Sequence, residues 1–298
     1  MARTAVLAAL SLLVLPAGDA IAAKPQPPGT TTPEVAYVKI SGGSRRFYEL
    51  KMSNEDGTGA STVFSSRDVG QMMVDLGPRA DRTLLLVQGG RLSLMTYDIT
   101  STGPKMTSLQ QIIDMGHAGA ATAAMSPTGD DVAFIKNGER TVWRYNLASM
   151  TFTKLVDGVG ILEGVDFSPD GQTVYYLEEA APEELVLKAV PLGGGSSVEL
   201  GARGFFTDIA VAANGDLLLA NITDWPVNRL YLYTPGGGAP EYLTDGYQPS
   251  FKCDGSMVIF QDLNSDGTAA IRKYDMQTGV RSTFSSKDLY WPDYMPTC

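Results

Sequence analysis

Residues 165–177 have the sequence VDFSPDGQTVYYL, the pattern of two β-strands joined by a tight turn. Val165 and Phe167 alternate with a polar residue, which is typical of a half-buried strand. In the turn, proline presets φ, aspartate bonds its own backbone and glycine accepts a positive φ. The run 173–177 is rich in β-branched and aromatic residues and predicts a second, buried strand.

The same hairpin pattern recurs along the chain at a nearly constant interval. Its turn glycines Gly129, Gly171, Gly215 and Gly255 are separated by 42, 44 and 40 residues. A degenerate copy at 74–87 has alanine in place of the glycine. Each hairpin is followed by segments that predict a third and a fourth strand, and four strands per repeat of this length are typical of a propeller blade.

Six such blades account for residues 35–298, so we predict an all-β, six-bladed β-propeller with four antiparallel strands per blade. Blade 1 lacks an inner strand at its N-terminal side. The segment 292–296 (PDYMP) resembles 249–253 (PSFKC), the inner strand of blade 6. We therefore expect the C-terminal strand to complete blade 1, which also removes exposed sheet edges.

The hairpin motifs resemble those of the TolB-like (WD-like) propeller repeat. The matching segments are PSFKCDG (249–255), VDFSPDG (165–171) and AAMSPTG (123–129), together with YELKMSNEDGTG (48–59). The resemblance implies a six-bladed propeller and a non-enzymatic binding or scaffold protein that presents a loop face to a protein partner or ligand. TolB has an additional N-terminal α/β domain, which we expect this chain to lack.

The N-terminus has the features of a secretion signal. Arg3 is followed by an apolar run too short to span a bilayer and by Ala20-Ile21-Ala22, a small-x-small cleavage site. We interpret residues 1–22 as a signal peptide and 23–34, rich in Pro and Thr, as a disordered leader. We expect a periplasmic or secreted protein with no membrane span in the mature chain.

Charge and composition exclude some classes of partner. The chain carries a formal net charge of −10 and has no cluster of Lys or Arg, so it is a poor candidate for binding nucleic acid or an anionic membrane surface. We expect a monomer that binds a protein partner in the cell envelope.

The sequence offers little support for a catalytic triad. His117 is the single histidine, it falls in a linker between blades, and no G-x-S-x-G elbow is present. We assign no catalytic residue and favour a non-enzymatic protein.

One loop has half of a calcium-binding pattern. Asp262, Asn264 and Asp266, followed by Gly267, match the start of a D-x-N-x-D-G loop. The position of the bidentate glutamate is Lys273, which does not fit. We therefore favour a polar hairpin loop and expect no cofactor, with calcium at this loop as the alternative.

Alignment of the inner strands places Asp75, Asp166 and Asp293 at one equivalent position in three blades. Three carboxylates around one axis would attract a cation and raise one another's pKa values. The alternative functional hypothesis is thus a metal-dependent, lactonase-like hydrolase with its site in the central channel. The simpler interpretation is that these carboxylates are solvated or bonded to neighbouring backbone.

The connections between the second and third strands of blades 4, 5 and 6 are expected at one end of the ring. We call this end the loop face; it comprises 178–184, 223–226 and 262–267. Acidic residues around an exposed aromatic would suit a protein or cationic ligand, although a solvated loop surface is an open alternative. The partner-binding candidates are Glu178, Glu179, Glu183, Glu184 and Trp225.

Cys253 and Cys298 are the only cysteines. An export signal places them in an oxidising compartment, and the repeat alignment puts them in the first turns of the adjacent blades 6 and 1. We predict a disulfide between them.

Overall fold

In a computed structural model of the chain, the structure describes residues 33–41, 47–67, 72–75, 82–88, 90–114, 122–136, 140–158, 160–224, 227–285 and 288–294. Side chains are described in these ranges except at 72–75, 222–224 and 227. The predicted signal peptide and residues 23–32 of the predicted leader lie outside them. Pro33 and Glu34, the last two residues of the predicted leader, are described: Pro33 is buried, and Glu34 N–H donates to Ser53 O (2.9 Å).

Every regular element in the described ranges is a β-strand, and the strands form six four-stranded antiparallel sheets. Blade 1 contains β1 (Val35–Ser41), β2 (Phe47–Ser53), β3 (Ser61–Ser66) and β24 (Leu289–Tyr294). Blade 2 contains β4 (Met72–Asp75), β5 (Thr83–Gln88), β6 (Arg91–Thr100) and β7 (Gly103–Asp114). Blade 3 contains β8 (Ala123–Met125), β9 (Asp131–Lys136), β10 (Thr141–Asn146) and β11 (Thr151–Asp157).

The remaining strands follow the same order. Blade 4 contains β12 (Leu162–Phe167), β13 (Thr173–Ala181), β14 (Glu184–Pro191) and β15 (Val198–Gly204). Blade 5 contains β16 (Phe206–Val211), β17 (Leu217–Asp224), β18 (Val227–Tyr233) and β19 (Glu241–Asp245). Blade 6 contains β20 (Tyr247–Phe251), β21 (Met257–Leu263), β22 (Ala269–Asp275) and β23 (Arg281–Ser285). The predicted six-bladed propeller is confirmed.

The repeated turn adopts the conformation that its sequence predicts. In blade 4, Gly171 N–H donates to Ser168 O (2.8 Å), and Gly171 has a φ of 68°. Asp170 Oδ1 accepts from Gln172 N–H (3.0 Å) and from the Ser168 hydroxyl (2.5 Å). The turn is thus fixed by a positive φ and by local side-chain bonds, the two properties that select Gly and Asp at these positions.

The hydrophobic core consists of six clusters, and each cluster fills the space between two neighbouring blades. Phe167 of blade 4 is 2% exposed and packs with Ala124 of blade 3. Met125 packs against blade 2 and Tyr294 against blade 6. Burial between blades, rather than within one sheet, makes the ring a single cooperative unit.

The ring closes as the sequence predicts, because β24 pairs antiparallel with β1 and forms the inner strand of blade 1. The register sets Tyr294 opposite Val35 and Asp293 opposite Ala36. The C-terminal strand therefore supplies both a core residue and a residue of the channel wall.

Candidate functional site

A cavity of about 490 Å³ lies where the inner strands of blades 1, 3, 4, 5 and 6 converge. Residues of the first turns, including Pro127, Pro169 and Lys252, also line it. The cavity therefore belongs to the end of the ring that carries the connections between first and second strands. We call this end the first-turn face; strand alternation places it opposite the loop face.

Asp166 lies in the wall of this cavity, as the strand alignment predicts. Its Oδ1 accepts from Phe167 N–H (2.7 Å), and its Oδ2 accepts from Val211 N–H (2.8 Å) in the next blade. Burial raises its pKa to about 7, and the charges of Asp293 and Asp208 act in the same direction. The carboxyl group thus links blade 4 to blade 5, and both of its oxygens are engaged by backbone donors.

Asp293 also reaches the cavity, from β24. It accepts a hydrogen bond from the Ser250 hydroxyl of blade 6, and the Ser250 Oγ in turn accepts from Tyr294 N–H (3.1 Å). The third predicted ligand, Asp75, lies in β4, and its side chain is outside the described part of the structure. The structure therefore brings two of the three predicted acids to one cavity.

Two further acids belong to this region, and strand alignment alone missed them. Asp208 lines the cavity from β16 and accepts from Ile209 N–H (3.0 Å) through Oδ1. Burial raises its pKa to about 7, with a further contribution from the negative charge of Glu163. Burial raises the pKa of Glu163 to about 7 as well. No described group of three or more His, Cys, Asp or Glu has the arrangement of a metal site.

The signal that could have found Asp208 is its place two residues before the aligned column, since residues i and i+2 share one face of a strand. The equivalent positions in blades 4, 6 and 1 are Gly164, Gln248 and Trp291, with φ values of 47°, 51° and 46°. The pairing register shifts at this point in all three inner strands. A Cβ on Gly164 would lie 3.2 Å from Asp208 Cα, so the close approach to blade 5 favours glycine.

Two side-chain oxygens at the cavity have no hydrogen-bond partner within the described residues. They are Thr122 Oγ1 and Gln248 Oε1, both of which are buried atoms. Thr122 as a whole is only 6% exposed. Leaving a buried oxygen without a hydrogen bond costs about 1–3 kcal/mol of folding stability. Among the described residues, the cavity wall therefore contains two acceptors that are costly to leave unpaired.

The loop face needs one correction. Glu178 lies within β13 and is 5% exposed, and its carboxylate accepts from Lys188 Nζ (2.8 Å). Its assignment to an exposed loop is therefore wrong, because the β13–β14 pairing continues past it. Glu179 is also a β13 residue, half-buried, with Oε2 accepting from Ile161 N–H (3.3 Å).

The exposed tip of the same hairpin contains only two turn residues, since Ala181 pairs with Glu184. Glu183 is exposed at this tip. Glu184 bonds to Arg203 of β15 (3.0 Å), which also bonds to Glu199 (2.9 Å). The tip is thus attached to the outer strand. Trp225 lies outside the described residues.

The calcium pattern in blade 6 is occupied by the protein's own donors. Asp262 Oδ2 accepts from Arg272 Nε (3.4 Å) and from Arg281, and Asn264 Oδ1 accepts from Arg272 Nη2 (2.7 Å). Asp266 Oδ1 accepts from the backbone N–H (3.0 Å) and hydroxyl (2.5 Å) of Thr268. This donor set, with two arginines among the oxygens, does not fit a calcium ion.

Cys253 lies in the first turn of blade 6 beside the cavity. Cys298 and His117 are outside the described residues. The disulfide between the two cysteines stays a prediction.

Comparison with known proteins identifies the fold. The chain matches TolB from Acinetobacter baumannii with a TM-score of 0.74 and 19% identity, over 89% of this chain and 67% of that one. It matches a chain of a nidogen/laminin complex with a TM-score of 0.68 and 11% identity, over 90% of this chain and 100% of that one. The match to a protein provisionally named TolB, from Agrobacterium tumefaciens, has a TM-score of 0.59 and 15% identity. It covers 90% of this chain and 100% of that one.

No family model and no curated protein matches the sequence. The likenesses therefore show a TolB-like propeller fold. No helix in the described residues has the length and apolar character that crossing a membrane requires.

Proposed function

We propose that this protein is exported to the periplasm or secreted, where it acts as a non-enzymatic, monomeric binding or scaffold protein that presents its loop face to a protein partner in the cell envelope. The TolB-like fold supports a propeller scaffold. The donor chemistry of the channel supports binding over hydrolysis, because both oxygens of Asp166 already accept backbone N–H groups. A metal ligand would need at least one of those oxygens free.

The observation that carries partner binding is the supported acidic tip of blade 4. Its two-residue turn exposes Glu183, while the bonds from Arg203 to Glu184 and Glu199 connect the tip to the outer strand. A preorganised tip loses little conformational entropy when it binds. Negative charge at such a tip favours a basic surface on the partner and increases the rate of association.

The experiment compares partner capture by variants of the two ends of the ring. The loop-face variant carries Glu183→Lys together with Trp225→Ala, and its matched control is Asp130→Lys, an exposed acid in the first turn of blade 3. Cross-linking of the tagged protein in the cell envelope, followed by mass spectrometry, identifies partners. Partners lost with the loop-face variant and kept with the control would support the proposal.

Equal loss in both variants, or retention in both with unchanged melting temperatures, would contradict binding at the loop face. Glu183 and Asp130 are exposed, so we expect their substitution to leave the fold unchanged.

Export is tested separately. Expression with the native N-terminus in a Gram-negative host, followed by N-terminal sequencing, should give a periplasmic protein that begins at Ala23. Thiol titration of the denatured, unreduced protein should find no free thiol if Cys253 and Cys298 are bridged. Two free thiols per chain would contradict the bridge, and an unprocessed N-terminus in the cytoplasm would contradict export.

A further inference from the structure

The channel cavity has a wall rich in acceptors and poor in positive charge. Asp166, Asp208 and Asp293 enter it from blades 4, 5 and 1. Lys252 is the only basic residue in the described lining, and its ammonium group bonds to Glu55 (2.8 Å). The described lining thus carries more acidic than basic side chains.

Thr122 and Gln248 provide an independent observation at the same wall. Their Oγ1 and Oε1 atoms are buried and have no hydrogen-bond partner in the described structure, and Thr122 is 6% exposed. Buried oxygens are normally paired, by protein or by a bound molecule. Acceptors that the fold does not use point to a ligand that supplies donors.

The apolar part of the wall restricts the ligand further. Met125, Phe251 and Trp291 line the cavity together with several prolines. An aromatic face attracts an organic cation through its ring quadrupole. A volume of about 490 Å³ falls in the range of small-molecule sites, about 300–1,000 Å³.

We propose that the central channel binds a small organic cation, a compound with one or more protonated amino groups on a short aliphatic chain. Its ammonium groups would be received by the Asp208 carboxylate, of which Oδ1 accepts from Ile209 N–H, and by the Thr122 and Gln248 oxygens, and its chain would lie against the apolar wall. The proposal is independent of partner binding at the loop face, which is at the other end of the ring.

Affinity for such a ligand should depend on pH, because Asp208, which would receive the ammonium group, and the nearby Asp166 have raised pKa values. The charges of Asp293 of β24 and of Asp208 act on Asp166, and the charge of Glu163 of β12 acts on Asp208. Below pH 6 the two carboxyls are mostly protonated and do not attract an ammonium group. Affinity should therefore rise as pH increases from 5.5 to 8 while the amine keeps its charge.

The test measures binding of putrescine by calorimetry at pH 8 and pH 5.5, with 1,4-butanediol as a neutral molecule of the same length. We expect putrescine to bind at pH 8, about tenfold more weakly or worse at pH 5.5, and the diol not to bind. Asp208→Asn should lower the affinity at pH 8 by about tenfold or more. Asp157→Asn, an exposed acid (72%) of the outer strand β11, should leave it unchanged.

A second variant separates the ligand effect from folding. Thr122→Val removes the unpaired oxygen without changing the side-chain shape, so it should keep or raise the melting temperature and weaken putrescine binding several-fold. Nα-acetyl-lysine amide distinguishes a free amine from a lysine side chain of a polypeptide. Weaker binding of this compound than of putrescine supports a free amine, and tighter binding overturns it.

Three further results would overturn the proposal. These are equal binding of the diol, unchanged affinity in the folded Asp208→Asn protein, and binding of Ca²⁺ at the channel with no binding of the amine.

Discussion

Two acidic regions of this propeller, the channel wall and the β21–β22 hairpin of blade 6, differ in the groups that bond to their carboxylates. In the hairpin, Asp262 is 15% exposed and is paired with Arg272 and Arg281. In the wall, Asp166 and Asp208 accept backbone N–H groups, and the charges that act on them are those of other carboxyl groups. The hairpin carboxylate is thus paired with positive charges of its own blade, whereas the described donors to Asp166 and Asp208 are neutral backbone groups.

The difference shows that residue type and spacing do not determine what a carboxylate does. Asp262 and Asp166 both fit a metal-ligand pattern in the sequence. Arginines on the neighbouring strands β22 and β23 neutralise the first. Desolvation at the convergence of five blades raises the pKa of the second. We therefore expect the hairpin to serve stability and the wall to respond to pH and ligand.

The largest effect should come from removing part of the wall. Deletion of residues 290–298 removes most of β24, and with it Asp293, the pairing with β1 and the buried Tyr294. The exposed edge of β1 and the uncovered core should unfold the protein or make it oligomerise. Size-exclusion chromatography and thermal denaturation measure this.

The interface between blades 1 and 6 is also supported by Glu55, which bonds to Lys252 through its carboxylate and accepts from Lys273 through its carbonyl (3.1 Å). We expect these contacts to be too weak to hold an open ring without β24. A truncated protein that stays monomeric with an unchanged melting temperature would contradict closure by this strand.

The next effect is the response of stability to pH. Asp166, Asp208 and Glu163 have folded pKa values of about 7, above the unfolded values near 4. Between about pH 4 and pH 7 the folded state binds more protons than the unfolded state, so the free energy of unfolding falls as pH rises. The melting temperature should decrease by several degrees from pH 5 to pH 8.

The Asp208→Asn variant tests whether the pH dependence of stability comes from the channel wall. The substitution removes a charge that is costly above pH 7, so it should raise stability at pH 8 by about 1–3 kcal/mol and flatten the pH profile. Asp157→Asn, on an exposed outer strand, should change neither. A melting temperature of the wild type that is constant or rises between pH 5 and pH 8 would show that the wall carboxyls are not desolvated.

A smaller effect of opposite sign is expected in the hairpin. Asp262→Asn leaves Arg272 and Arg281 without their shared carboxylate, although both guanidinium groups retain some access to water (19% and 35%). We expect a loss of about 1–2 kcal/mol that is the same at pH 5 and pH 8. Denaturant unfolding at the two pH values measures this loss of stability. If Asp262→Asn instead stabilised the protein at pH 8, the hairpin would behave like the channel wall and the comparison would fail.

The repeat made most of the fold predictable, because the turn at 168–171 recurs and each copy fixes a hairpin by local chemistry. Closure was also predictable, since 292–296 resembles an inner strand. The buried state of Glu178 was not, because it depends on Lys188, a residue on the facing strand. Asp208 was missed because the alignment compared a single position of each inner strand, whereas residues i and i+2 share one face of a strand and Asp208 lies two residues before that position.

The smallest effect should be that of calcium on the blade 6 hairpin. A D-x-N-x-D-G loop binds calcium when its oxygens converge without competing cations. Here the Asp262 carboxylate and the Asn264 carbonyl face arginine, and Asp266 closes its own turn with Thr268. A calcium ion would have to displace two guanidinium groups, so neither millimolar calcium nor a chelator should shift the melting temperature. The Asp262→Asn protein is the control, because a calcium response through this loop would be present in the wild type and absent in the variant. Such a response would show that the hairpin, like the channel wall, carries negative charge available to a ligand, and the comparison between the two regions would fail.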